Sequence, residues 1–314
     1  MKYAFVFPGQ GSQFVGMGRE LADNFVSARE VFQEVNEALS QDLFKVMVDG
    51  PESELTMTAN TQPALMAFSM AVVRVLEKDF GIKLKDKAAF VAGHSLGEYS
   101  AACSAGVFSL SDTAKLLRIR GNAMQNAVPF GVGGMAAVLG LSYKDVGALV
   151  EACLNGKDIC VAANDNSDGQ VVLSGAMSAI DRAVEIASEF GARKCVKLAV
   201  SAPFHSPFMQ PAAEAMARAF MNVEANNAEI PLIANVLAAP ITNHKEIIKH
   251  LIEQVTGTVR WRETMAYLQE QGVTDFVELG AGKVLSGIAK RSHKEMNAFS
   301  VGSVEDIEEL AKNL

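Results

Sequence analysis

Short apolar runs alternate with longer stretches of helical spacing along most of the chain. Residues 3–7 are wholly apolar and close on Pro8-Gly9, the pattern of a buried strand entering a loop. Helical spacing follows at about 19–39 and 61–79, which puts Pro63 in a first turn, where its missing N–H costs nothing. Residues 88–92 form a second buried strand, and a helix is expected to begin near Ser95. Strand and helix alternating in this way predict an α/β fold with a mostly parallel sheet.

The pattern changes in the middle. A strand at 135–139, a helix at 142–154 and a strand at 159–163 lead into a turn at 164–169. A strand at 171–173, a helix at 178–190 and a strand at 195–200 complete a βαββαβ order, the ferredoxin-like arrangement. The expected organisation is therefore a core made of 1–127 and 201–314, with a small subdomain, 128–200, inserted into it. Helices near 208–222, 243–254, 261–271 and 283–291 and strands near 231–237, 275–279 and 298–301 resume the α/β pattern.

Composition narrows the class. Apolar residues make up 49% of the 314 and charged residues 20%, which describes a soluble chain with a large core. The longest apolar run, 131–141, falls well below the ~20 residues of a membrane span, and the N-terminus lacks a signal peptide's cleavage pattern. Cys103, Cys153, Cys160 and Cys195 are scattered without a C-x-x-C pair. That suits a reducing cytoplasm and argues against a disulfide framework or zinc site. A net charge of −8 argues against nucleic acid as a partner.

Gly93-His94-Ser95-Leu96-Gly97 fits G-x-S-x-G, with a buried strand before it and a helix after. In a nucleophile elbow the serine occupies a sharp, strained turn whose neighbours must be small. The first amides of the helix, Leu96 N–H among them, then face the serine oxygen and can stabilise an oxyanion. The plainer reading is a glycine-flanked helix start capped by Ser95; the strand–turn–helix context favours the elbow.

A serine hydroxyl needs a base near pKa 7 within hydrogen-bond reach. His94 adjoins the serine on a turn where neighbouring side chains diverge. His244, His250 and His293 sit among charged residues and are expected to be solvated. His205 lies in an apolar loop between Pro203 and Pro207, directly after a predicted strand, and is the best candidate; the competing reading is a packed loop histidine bonded to backbone.

Arg120 falls inside the apolar stripe Leu116, Leu117, Ala123, Met124, Ala127, whereas Lys115, Arg118, Asn122 and Gln125 lie on the polar side. An arginine directed inward must meet an anion. A structural Asp or Glu would serve, and so would a substrate carboxylate held by the planar guanidinium. Other motifs fail. Gly9-Gln10-Gly11-Ser12-Gln13-Phe14 has Phe14 where a dinucleotide fingerprint needs glycine, and Gly280-Ala281-Gly282-Lys283-Val284 lacks Walker spacing. No carboxylate or histidine cluster has metal-ligand spacing.

Taken together, these residues resemble the malonyl-CoA:acyl carrier protein transacylases of type II fatty acid synthesis. The similarity runs through Phe5-Val6-Phe7-Pro8-Gly9-Gln10-Gly11-Ser12-Gln13, the Gly93–Glu98 nucleophile motif, Arg120 at the family's spacing, Pro203-Phe204-His205-Ser206, Gln254 seven residues before Trp261, and the stretch 278–285. The resemblance implies a hydrolase-like α/β core with a ferredoxin-like insert. It implies that Ser95 attacks the malonyl thioester and that His205 accepts and returns the proton. It further implies that the main-chain carbonyl of Gln254 orients the imidazole in place of a triad carboxylate, that Gln10 and Leu96 N–H groups form the oxyanion hole, and that Arg120 clamps the malonyl carboxylate. The substrates implied are malonyl-CoA and phosphopantetheinylated acyl carrier protein, used in a ping-pong route with no permanently bound cofactor by a cytoplasmic monomer that binds neither nucleic acid nor membrane. Phe204 resembles the malonyl-selective form of its loop. Thr258 stands where relatives often have proline, which implies a looser backbone near Gln254. An acidic chain that serves an acidic carrier needs a local basic rim, expected from Lys194, Lys197, Lys283, Lys290 and Arg291.

Two other classes fit parts of the pattern. A serine esterase or thioesterase of the α/β-hydrolase type needs a triad Asp or Glu, commonly has an HGGG loop, and has no use for a buried arginine. A non-catalytic acyl-CoA or carrier-binding module has no reason to keep Ser95, His205 and Arg120 together.

Overall fold

The computed structural model describes residues 1–200 and 202–314. Ser201, where the second core segment was expected to begin, lies outside the described residues. The strands are β1 (Tyr3–Phe7), β2 (Ala88–Gly93), β3 (Gly133–Leu139), β4 (Cys160–Ser167), β5 (Gln170–Ala176), β6 (Lys194–Lys197), β7 (Leu232–Ala234), β8 (Ala239–Ile241), β9 (Asp275–Leu279) and β10 (Asn297–Val301).

Six of them form one sheet in the order β10-β9-β1-β2-β7-β8. Every pairing in it is parallel except the β7–β8 hairpin at its edge. β1 is buried along its whole length, as expected of a strand covered on both faces. The other four form a separate, wholly antiparallel sheet in the order β4-β5-β3-β6.

The loop before Trp261 joins the two sheets. Val259 pairs with Asn164 in an isolated parallel bridge, Val259 N–H donates to Ala163 O at 2.9 Å, and Asp165 N–H donates to Val259 O at 2.9 Å. Thr258 adds a hydroxyl bond to Ala162 O at 2.8 Å. The residue expected to loosen this backbone is thus one of its anchors, because threonine supplies a donor that proline lacks.

Several boundaries differ from the periodicity. The helix expected at 61–79 spans Thr58–Lys78, so Pro63 lies inside it rather than in its first turn. Thr58, Asn60, Thr61 and Gln62 are buried with the apolar residues, and polar residues in a buried turn gave no period to read. The helix expected at 19–39 breaks at Phe25 into Arg19–Asn24 and Val26–Leu39. β4 runs on to Ser167, so most of the expected turn at 164–169 is strand; its polar residues Asn164–Ser167 are buried between the sheets. β6 stops at Lys197, short of 200. A final helix, Val304–Asn313, opens on a Ser303–Asp306 capping box that sequence reading passed over.

Candidate active site

Ser95 occupies the bend between β2 and the helix Gly97–Ser104, with φ +53° in the left-handed region that residues with a Cβ rarely enter. Two glycines make the bend possible. A Cβ on Gly93 would lie 1.9 Å from Gly97 O, and one on Gly97 would lie 2.3 Å from Phe7 O. Asn235 clamps the turn: its Oδ1 accepts from Ser95 N–H at 2.9 Å, and its Nδ2 donates to Gly93 O at 2.7 Å.

The His205 ring lies across the cavity floor from this bend. Its Nε2 is 2.7 Å from Ser95 Oγ, and its Nδ1 is 2.8 Å from the main-chain oxygen of Gln254. A carbonyl can only accept, so Nδ1 carries the hydrogen and Nε2 is left bare to receive the serine proton. Among the described residues no Asp or Glu takes the place a hydrolase triad would give it. His205 also has a left-handed backbone, φ +54°, which the sequence did not suggest.

Burial, and then the positive charge of Arg120, push the imidazole down to about 3. The ring is neutral across the ordinary pH range, and an anion that offsets Arg120 raises its basicity.

Arg120 is fully buried. Its Nη1 donates to Gln62 Oε1 at 2.9 Å, while Nη2 donates to Gln254 Oε1 at 2.7 Å and to Ser95 Oγ at 3.1 Å. The guanidinium also lies over the Tyr99 ring, 5.4 Å from its centroid. Among the described residues no carboxylate forms an ion pair with it, and Nε has no hydrogen-bond partner. The charge is held by neutral amides and stands next to the serine oxygen.

Gln10, Leu96, Ser95, Arg120, Phe204 and His205 line one cavity of about 350 Å³. The backbone N–H groups of Gln10 and Leu96 carry no hydrogen bond to another described residue. Gln254 is completely buried behind the cavity wall, where its amide Nε2 donates to Ser95 O at 2.9 Å and to Glu98 Oε2 at 2.7 Å.

His94 turns away from Ser95, with its Nε2 2.8 Å from Asn166 Oδ1 and its ring against Trp261. His250 is a correction: it is buried, not solvated, because Ile247, His250 and Leu251 form the inward stripe of the helix His244–Glu253. Its Nδ1 meets Glu253 Oε2 at 2.7 Å. His293 is half-buried against Gln269. Lys194, Lys197, Lys283, Lys290 and Arg291 are all exposed, and Lys197 pairs with Asp181. Asn235 and Gln62 are site residues that sequence reading missed, and Glu98 was read only as the end of the nucleophile motif. Among the described residues no group of three His, Cys, Asp or Glu side chains could hold a metal ion, and no helix is long and apolar enough to cross a membrane.

Residues 4–311 match the family model described as an acyl transferase domain. The chain is 41% identical over 307 residues to the malonyl CoA-acyl carrier protein transacylase of Bacillus subtilis (strain 168), covering 98% of this chain and 95% of that one. Its fold is similar to the crystal structure of an acyl-carrier-protein-S-malonyltransferase from Bartonella henselae, with a TM-score of 0.97, 53% identity, and coverage of 100% and 99% of the two chains. It is also similar, at a TM-score of 0.96 and 37% identity over the whole of both chains, to a malonyl-transacylase solved in complex with its holo type II PKS acyl-carrier protein.

Proposed function

The chain belongs to the malonyl-CoA:acyl carrier protein transacylase family of acyl transferases, and from that premise we infer how its side chains carry the reaction. It is an S-malonyltransferase (EC 2.3.1.39) that moves the malonyl group from malonyl-CoA to the phosphopantetheine thiol of holo-acyl carrier protein.

As Ser95 Oγ bonds to the thioester carbonyl carbon, His205 Nε2 takes the hydroxyl proton, and Nδ1–H stays on the Gln254 carbonyl. The carbonyl oxygen, now an oxyanion, accepts from the N–H groups of Gln10 and Leu96. The C–S bond then breaks, and His205 returns its proton to the departing coenzyme A sulfur, leaving malonyl-Ser95. The carrier's thiol enters, gives its proton to His205 and takes the acyl group, which restores the serine hydroxyl. Arg120 holds the malonyl carboxylate throughout. By offsetting the guanidinium charge, that carboxylate also strengthens the base that its own transfer requires.

The observation that carries this reading is the convergence on one serine oxygen of an imidazole nitrogen at 2.7 Å and a guanidinium at 3.1 Å that forms no ion pair with a carboxylate among the described residues. Brief mixing with malonyl-CoA is expected to add one malonyl group to Ser95, detectable by intact mass, and a pantetheine thiol is expected to remove it. An unmodified Ser95 would sink the mechanism.

The strand–bend–helix around Ser95 supports a hydrolase-like core formed by 1–127 and 201–314. The βαββαβ order of the four-stranded sheet supports a ferredoxin-like insert at 128–200. The reaction as read uses these side chains and two thioester substrates, with no permanently bound cofactor. A monomer is the working unit in this reading, and the four free thiols suit a cytoplasmic enzyme. The net charge of −8 supports a protein that binds acidic carriers through local cations and leaves nucleic acid and membrane alone.

A further inference from the structure

Glu98 is completely buried, three residues after the nucleophile, and the acyl-transfer steps do not use it. Its Oε2 accepts from Gln254 Nε2 at 2.7 Å, and its Oε1 has no partner among the described residues. The other end of the same amide, Gln254 Oε1, accepts from Arg120 Nη2 at 2.7 Å. One glutamine side chain thus stands between an internal acid and the guanidinium, so the two are linked without forming an ion pair. The main chain of the same glutamine holds His205.

We propose that Glu98 is a positioning residue for the substrate carboxylate: through the Gln254 amide it fixes Arg120 in place while leaving that residue's positive charge for the ligand. This inference rests on the malonyl-transfer reading of the site.

The arrangement demands a neutral acid. An ionised carboxylate with one oxygen bare would be costly at zero exposure. It would also compete with the ligand for the field of Arg120. Burial raises the Glu98 carboxyl to about 8, against the opposing pull of the Gln254 and Asn235 hydrogen bonds and of Arg120. The charged and titratable groups acting on it are Arg120, from the helix Leu110–Gln125, and Tyr99, beside it on its own helix. Neutral Glu98 orients; ionised Glu98 competes.

Steady-state transfer to a pantetheine thiol tests this, with malonyl-CoA and acetyl-CoA compared from pH 6.5 to 9.5. In the native chain the KM for malonyl-CoA is expected to rise about tenfold between pH 7 and pH 9, as Glu98 loses its proton, while that for acetyl-CoA stays flat. Glu98→Gln, which cannot ionise, is expected to abolish the malonyl-specific rise. Glu98→Ala is expected to cut the malonyl-over-acetyl preference at pH 7 by about tenfold through a loosened Gln254, and Glu98→Gln to restore it. Malonyl and acetyl KM values that move together, or a rise that persists in Glu98→Gln, overturn the role. Should the Gln variant fail to fold, the native contrast between the two substrates decides alone. Absence of malonyl transfer by the native chain overturns the functional reading as well, whereas transfer with a flat malonyl KM overturns only Glu98.

Discussion

β1 and β2 of the six-stranded sheet end in the loops that carry Gln10 and Ser95, whereas β3 and the segment after β6 present Met135 and residues 198–200 to the same cavity. The first set is half-buried at Gln10 and Ser95, clamped at the serine by Asn235 and Gln254, and shaped by glycines that admit no Cβ. In the second set Met135 is buried, whereas Leu198 is 37% exposed and donates its N–H to Met135 O at 2.9 Å. Groups that move protons or hold charge thus come from the parallel sheet and the elements packed on it, and the antiparallel sheet contributes wall. Parallel strands deliver their C-terminal loops to one edge, where dipoles and side chains converge.

The division is broken most directly at the base. His205→Ala is expected to slow acylation of Ser95 about a thousandfold, measured as the rate of malonyl adduct formation. The same variant carries a stability signature. The folded imidazole is pushed down to about 3 from an ordinary 6.5, so on acidification below 6.5 the unfolded chain takes up the proton first and the native chain loses stability. Replacing His205 removes that contribution, and the fall in stability between pH 6.5 and 4 is expected to be shallower by urea titration. A native-like acylation rate would move the base elsewhere.

Arg120→Ala sharpens the same contrast at lower cost. Losing a charge-assisted clamp is expected to lower kcat/KM for malonyl-CoA about a hundredfold. Acetyl-CoA has no carboxylate to lose, and the imidazole freed from the neighbouring charge becomes more basic, so its transfer is expected to fall little or to rise. An unchanged malonyl-over-acetyl ratio would remove Arg120 from the clamp.

Much of this arrangement could be read before any coordinates. Ser95 was legible because an elbow needs small residues at fixed offsets, and Arg120 because a charge in an apolar stripe contradicts its own helix. His205 emerged from its loop's composition, but its left-handed backbone left no local mark. Asn235, Gln62 and the role of Glu98 were not legible for one shared reason. Each is a polar residue in a buried segment, and its purpose lies in a partner remote in sequence: Asn235 in the Ser95 amide, Gln62 in Arg120, and Glu98 in Gln254. The buried polar turn Thr58–Gln62 was the nearest thing to a signal, since such residues stay inside only when something is there to bond. The edge hairpin β7–β8 and the polar end of β4 were missed for a related reason, as tertiary pairing there overrides local propensity.

The smallest effect is expected from the wall. Leu198 lines the cavity mouth from the antiparallel side and makes no hydrogen bond through its side chain. Leu198→Ala removes a partly exposed apolar group, so stability is expected to change by no more than about 0.5 kcal/mol. The rate of malonyl adduct formation on Ser95 should stay within about twofold, because no reacting atom loses a neighbour that holds it. What shifts is contact with the thioester arm, seen as a rise of up to about threefold in the KM for malonyl-CoA and for the pantetheine thiol alike. A loss of tenfold or more in the acylation step itself would mean that the small sheet holds the reacting groups in register, and the division of labour between the two sheets would have to be abandoned.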